Sequence, residues 1–454
     1  MRKIYLLYLI ILLGIFVLSS KKTECFAADD NLIWAQVVGV PSGYVAIIPA
    51  DIAIDTSGIY IAGGQTKSGP TLSGISYGRI EKRRLTDGSL LWFHVFTTSY
   101  SSIVGVAVDT TGVYLVASEV GQWRIEKRNL TDGSLIWSQV SNPTGGNDFA
   151  YGIAVDATGV YVVGNDSAPG RFEWRIEKRN LSNGSLIWSQ VHDFNDSSNR
   201  SNAYRVAVDA TGVYVVGTVV TTSRIEKRNL TNGSLIWSQV SNSGFADIAV
   251  DNTGIYIAGG DSAVDVGEWG VEKRNLSNGS LIWSRVTNLV VNGLDYASSI
   301  TVDNSGSYVA GSRQVAQGSS DALWRIEKRK LNDGSLVAYQ ESNPSNTWDA
   351  ACAIVVDSSG VYIAGMENGF PGFPGGKWRI EKRRFNNYID IGLRLYDGSQ
   401  TIIVACEPDT SVTSSIRIAK DGKVYGIALV DITDSMASKV RIKTIAGIKA
   451  IRKF

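Results

Sequence analysis

The pentapeptide Arg-Ile-Glu-Lys-Arg recurs at Arg79, Arg124, Arg175, Arg224, Arg325 and Arg379, and a degenerate copy, Gly270-Val271-Glu272-Lys273-Arg274, fills the one gap in the series. Successive copies lie 45 to 55 residues apart. A unit of that length is a single supersecondary element. It cannot bury its own apolar faces, so it must stack on its neighbours.

Each unit holds four short apolar runs. In the third they are Gly152–Asp156, Val160–Gly164, Trp174–Arg179 and Ser185–Val191. The runs are rich in Val, Ile, Tyr and Trp and are bounded by Gly, Asn or Asp, which predicts strands joined by hairpin turns. No helical period runs through the repeats. Four strands repeated radially predict an all-β fold, a β-propeller of four-stranded blades.

With strands lettered A to D from the axis outward, each landmark occurs seven times. Asp55, Asp109, Asp156, Asp209, Asp251, Asp303 and Asp357 close strand A, and Tyr60, Tyr114, Tyr161, Tyr214, Tyr256, Tyr308 and Tyr362 mark strand B. Strand C carries Glu81, Glu126, Glu177, Glu226, Glu272, Glu327 and Glu381; strand D carries Trp34, Trp92, Trp137, Trp188, Trp237, Trp283 and Tyr339. Seven blades are therefore expected.

The first strand, Leu32–Val37, is of the D type and the last, Lys377–Arg383, of the C type. The N-terminal strand should complete the seventh blade and close the ring. Eleven of the twelve Trp residues occupy repeat positions in C or D, where large flat side chains fill the space between blades. The charged row in strand C needs partners if it is half-buried, so Arg–Glu pairing across or between blades is expected.

The segment Ala150-Tyr-Gly-Ile-Ala-Val-Asp156, with Gly159 and Tyr161, resembles the bacterial SBBP β-propeller repeat. Asp132-Gly-Ser-Leu-Ile-Trp137 is similar to the outer strand of quinoprotein-type propeller repeats. The resemblance spans residues 32 to 384 and implies the fold; such propellers serve many roles, so it implies no single activity. The vicinal Cys pair and eight blades common in quinoprotein dehydrogenases are not found. Neither is the Trp-Asp ending of WD40 blades, the double Gly of kelch repeats or the sialidase box.

Residues 1–28 read as a secretory signal: Arg2 and Lys3, the apolar run Ile4–Leu18, then small residues for cleavage. Residues 29–388 form the propeller. Residues 389–454 break the repeat and predict a small β domain of about five strands, basic toward its end, through which attachment to the cell envelope could run. A secreted or cell-envelope protein is expected. Cys352 and Cys406 remain after the signal and suggest no disulfide framework. A net charge of +1 argues against nucleic acid as a partner.

A residue present in every blade is scaffold; a residue found once is a candidate for function. Every length change falls in the B-to-C and D-to-A loops, which share the top face of a propeller, while the A-to-B and C-to-D turns of the bottom face are short and uniform. The ligand-binding candidates on the top face are Arg171, Phe172, His192, Asp193, Phe194, Trp348, Phe370 and Phe373. Exposed aromatics beside a few polar groups suit protein or carbohydrate contact.

Catalysis has little support, because the chain has two His residues and His94 takes a scaffold position usually held by Gln. No catalytic residue, metal site or cofactor is expected. The leading expectation is a secreted, monomeric, non-enzymatic propeller that binds a protein or glycan through its top face. The alternatives are an exported enzyme (a lyase, a hydrolase or a divergent quinone-dependent dehydrogenase) and a cell-surface structural protein.

Overall fold

A computed structural model describes residues 31–67, 75–96, 101–142, 145–167, 172–194, 201–261, 267–290, 293–345, 347–369, 375–385, 389–396, 401–407, 413–420 and 423–431. Strand β1 (Leu32–Val38) comes first. Blade 1 is β2–β5 (Ala46–Asp55, Gly58–Lys67, Ile75–Arg83, Leu90–Val95) and blade 2 is β6–β9 (Ser101–Asp109, Gly112–Glu119, Gln122–Arg128, Leu135–Ser141). Blade 3 is β10–β13 (Phe149–Asp156, Gly159–Asp166, Glu173–Arg179, Leu186–His192) and blade 4 is β14–β17 (Asn202–Asp209, Gly212–Val219, Thr222–Arg228, Leu235–Ser241). Blade 5 is β18–β21 (Ser243–Asp251, Gly254–Asp261, Glu268–Arg274, Leu281–Thr287) and blade 6 is β22–β25 (Asp295–Asp303, Gly306–Gln314, Ala322–Arg329, Leu336–Ser342). Blade 7 is β26–β28 (Ala350–Asp357, Gly360–Glu367, Lys377–Arg383) completed by β1, in the order β1-β28-β27-β26. All pairings within blades are antiparallel.

The innermost strands make the ring. Each packs on the innermost strands of both neighbours, and the series closes where β26 meets β2. The seam is as predicted: β1 pairs with β28 from Leu32↔Arg383 to Val38↔Trp378. The Trp34 indole then donates to the Leu85 carbonyl of blade 1 at 3.2 Å. Four further strands, β29–β32 (Ile389–Tyr396, Thr401–Glu407, Thr413–Lys420, Lys423–Asp431), form a separate antiparallel sheet. The fifth strand expected near Val440 lies outside the described residues.

The bottom face is a belt built from repeat residues. Asp156 Oδ1 accepts from the Thr158 and Gly159 amides and the Thr158 hydroxyl, which makes the A-to-B turn. Lys178 Nζ donates to Thr158 Oγ1 at 2.8 Å and to the Leu230 carbonyl of the next blade at 2.9 Å. Trp188 and Gln190 donate to carbonyls of that same neighbouring turn, Leu230 and Asn232. His94 takes the Gln role by donating to the Asp132 carbonyl, as its scaffold position implies. Gly184 (φ 71°) sits in this turn for two reasons: the backbone is left-handed, and a Cβ would come within 2.6 Å of Trp137.

Between blades, the strand C indoles meet glycine. Trp174 donates to the Thr218 carbonyl at 2.9 Å, and a Cβ on Gly217 would come within 2.8 Å of its ring. Blade 1 has Gly78 in place of the Trp, and blade 2 correspondingly has Ala117 in place of the Gly, with Phe96 and Ile103 filling the space.

Two expectations need correction. The strand C carboxylates are buried and take their arginines from within their own strand, while the expected pairing across a blade is made in part by those arginines: Arg124 to Glu119, Arg325 to Glu341 and Arg379 to Glu367. Glu177 is fully buried and takes Arg175 Nε at 2.8 Å and Arg179 Nη2 at 2.6 Å. Residues two apart on a strand share a face, so the pentapeptide carries its own ion triad. In addition, the strand D aromatic of blade 6 is one residue out of register. Lys328 pairs with Ala338, whereas Lys178 pairs with Trp188. Tyr339 points to the other face, 4.2 Å from the Arg325 guanidinium, and Phe385 packs on Tyr308 at 5.6 Å where the Trp would have been.

Two top-face hairpins turn through strained residues. Val120 (φ 49°) and Val220 (φ 58°) occupy the left-handed region, which β-branched residues avoid. Val120 is 71% exposed, so it gains no packing in return. Val120→Asn is expected to stabilise the fold by about 1 kcal/mol. Chemical denaturation checks this, and a loss of stability would show that the isopropyl group has a packing role.

Candidate functional site

The top face contains five of the eight sequence candidates among the described residues. Arg171, Phe370 and Phe373 lie outside them. His192 is the last residue of β13, and its Nδ1 donates to Glu226 Oε1 of blade 4 at 2.9 Å. Its register, opposite Trp174, is that of Ser141 opposite Trp123, and Ser141 likewise donates to the carboxylate of the following blade, Glu177. His192 therefore stands at a repeat position with a singular side chain. Phe194 stacks on it at 4.0 Å, meets Trp174 edge-on at 5.5 Å and covers the Arg224 guanidinium.

Burial alone would raise the Glu226 carboxyl. The His192 bond, the Arg228 charge and the Arg224 bond overcome that and carry it down to about 2. Asp193, between His192 and Phe194 in the sequence, is exposed. Phe172 is apart from this group and packs edge-on against Phe149 at 6.3 Å. Trp348 is half-buried between blades 6 and 7, where its backbone bridges to Ala322 and its carbonyl accepts from the Gly369 amide.

Three buried aspartates tie the top loops down. Asp148 accepts from the Ser167 amide, Asp295 from the Leu289, Val290 and Gln314 amides, and Asp349 from Ser345 and the Asn368 amide. They occupy one register, eight residues before the strand-closing Asp, so each braces a D-to-A loop against a B-to-C loop. Burial pushes the Asp349 carboxyl up to about 6. These braces hold the face in shape before any partner arrives.

The axis carries a second set, which the sequence reading passed over. Four residues before the strand-closing Asp, the repeat stops repeating: Asp51, Gly105, Gly152, Arg205, Asp247, Ser299 and Ala353. Asp51 Oδ2 accepts from the Val106 amide of blade 2 at 2.8 Å, and Oδ1 from its own neighbour Ile52. Asp247 Oδ2 accepts from Ser299 Oγ at 2.7 Å and the Ile300 amide at 2.9 Å. Ser299 in turn stands 3.3 Å from the Ile354 amide.

Arg205 reaches back to the Tyr151 carbonyl at 3.0 Å and lies 3.8 Å from Asp247 Oδ1. Just above, Tyr151 and Tyr204 meet edge-on at 5.4 Å. The amides of Val106, Ile300 and Ile354 that donate these bonds follow a bulge that occurs in every strand A. The signal was present in the sequence, as a strand A position where charged and polar side chains replace the small residues of other blades.

Burial raises Asp51 to about 6, against the lowering effects of Arg205 and the Val106 amide; Asp247 adds to the rise. Asp247 is itself raised by burial. A carboxyl raised in the folded state contributes stability that is complete below the unfolded pKa, 3.8, and is lost as pH rises through about 6. Glu226 acts oppositely: its contribution is present above the unfolded value, 4.5, and is lost as pH falls toward about 2. The protein is therefore expected to be more stable at pH 5 than at pH 7.5, with Asp51 contributing about 1.4 kcal/mol of the difference, one pH unit below its folded pKa of about 6. Urea denaturation at the two pH values, on the parent and Asp51→Asn, measures this share. An equal pH dependence in both proteins would remove Asp51 as its source.

No family model matches the chain, and no curated protein does. Among solved structures, the chain is similar to BamB from Moraxella catarrhalis (13% identity, 79% of this chain and 98% of that one, TM-score 0.40). It is also similar to a quinohemoprotein alcohol dehydrogenase from Pseudomonas putida HK5 (10%, 84% and 78%, 0.45) and to the propeller of Dos1 (10%, 78% and 96%, 0.48). At these identities and TM-scores the similarities carry no functional argument.

Proposed function

We propose that this chain is an exported, non-enzymatic propeller of the SBBP kind that holds a protein or glycan on its top face. The division of labour between the two faces carries this reading. On the bottom, turn carbonyls and hydroxyls are consumed by bonds that the repeat residues make from blade to blade. On the top, loop lengths change, buried aspartates brace the loops, and His192 and Phe194 stack over Glu226. A braced face with half-buried aromatics suits a macromolecular partner.

The test is a glycan array and a pull-down with the full chain, alongside Trp348→Ala, Phe370→Ala and Phe373→Ala. Ser182→Ala, in a bottom-face turn, is the control. Top-face variants should lose at least tenfold in affinity for whatever the parent binds, and the control should lose none. Equal binding by all variants would remove the reading.

A second reading, an exported lyase or hydrolase, draws on the axial carboxylates. It ranks behind because both oxygens of Asp51 and of Asp247 already accept backbone amides, which suits ties between blades better than proton transfer.

A further inference from the structure

The outer rim has a chemistry that neither the ring nor the top face requires. Strand D is the open edge of every blade, so one row of its backbone groups has no partner within the sheet. Edge strands in folded proteins are usually guarded by charge or proline. Blades 5 and 6 follow that rule, with Arg285 and Glu341 in the strand.

Blades 2, 3 and 4 do not: their edges read LIWSQVS, LIWSQVH and LIWSQVS, and the edges of blades 1 and 7, LLWFHV and LIWAQVV, lack charge and proline as well. Their outward residues are aliphatic. Leu135 is 50% exposed, Val140 55% and Val240 57%. The three LIWSQV edges are consecutive and form one arc at the end of a longer unguarded run through blades 7 and 1.

We propose that this arc receives an extended, alternately aliphatic strand of a partner protein, which adds to a blade as a fifth strand. Area and curvature decide against other occupants. Three half-exposed aliphatic side chains per blade amount to roughly 250 Å², against roughly 800 Å² per partner in a stable interface. The rim is convex, so a second rigid copy or a flat lipid surface meets little more than one blade and falls short of that area. An extended strand follows the edge along its length and adds main-chain hydrogen bonds to the apolar contact. The chain already uses such an addition once, where β1 joins β28 from the far end of the sequence. This surface is distinct from the top face, so the two assignments fail independently.

The probe is a fluorescent peptide of residues 31–38, Asn-Leu-Ile-Trp-Ala-Gln-Val-Val, added to the full chain. Anisotropy should show saturable binding, and amide exchange should slow in β9, β13 and β17. The triple variant Val140→Lys, Val191→Lys, Val240→Lys should bind at least tenfold more weakly. A peptide with proline at alternate positions should not bind, because it cannot complete the ladder. Val240→Lys alone, read by exchange in β17, serves if the triple variant does not fold.

The inference is overturned if the parent does not bind the peptide, if the lysine variants or the proline peptide bind equally, or if the slowed amides lie only in blade 7. Sedimentation that shows a dimer of the parent dissolved by the lysines would also overturn it, by placing a second copy on the rim.

Discussion

A chain shortened to begin at residue 42 is expected to lose the cooperative unfolding of the intact propeller. Strand β1 supplies the whole outer edge of blade 7, and the Arg384 amide donates to the Asn31 carbonyl beside it. Trp34 packs on Tyr362 at 6.2 Å and bonds to blade 1. Loss of a well-packed Trp alone costs about 3–5 kcal/mol, and the deletion also uncovers β28 with its buried Arg383. Folded domains are stable by only about 5–15 kcal/mol in total, so the truncated ring should open at blade 7. Circular dichroism during denaturation should show a broadened, lowered transition. Excess peptide of residues 31–38 should raise it again. A transition unchanged by the deletion would mean that the ring closes without the N-terminal strand.

Glu177→Ala is expected to be among the most damaging single substitutions. The carboxylate is fully buried and holds Arg175, Arg179 and, from the preceding blade, Ser141. Without it, two guanidinium groups remain inside a blade with their principal counter-charge gone, a loss of about 3–5 kcal/mol. Arg175 keeps Asp166 at 2.9 Å, which softens the effect, whereas Arg179 keeps the neutral Gly184 carbonyl at 3.0 Å. Glu177→Gln retains the shape and one acceptor and should cost less. Replacing all three residues with aliphatic side chains of similar volume should cost least, because the desolvation of the triad disappears with it. Urea denaturation orders the three. A cost below about 1 kcal/mol for Glu177→Ala would show that water reaches the triad.

Local chemistry made most of the scaffold legible. The Asp-x-(Thr/Ser)-Gly turns, the tyrosine of strand B and the D-type character of Leu32–Val37 all lie where their spacing placed them. Tyr339 shows the limit of that reading. Counting aromatics assigned it to the indole position, but the ladder puts Ala338 there, and Phe385 supplies the ring from elsewhere in the chain. Substitution of one blade's filler by a distant residue leaves no local trace. The ion triad was misplaced for a related reason: charge type says that partners are needed, and strand geometry decides which ones are reached.

From the sequence alone came the blade number, the closing strand and the sorting of invariant turns from variable loops, because each follows from short-range periodicity and turn chemistry repeated seven times. Tertiary structure alone showed that His192 and Phe194 form one cluster over Glu226, and that Asp51, Arg205 and Asp247 come together at the axis. Those meetings join residues from different blades. They exist only once the ring has closed and successive inner strands lie side by side.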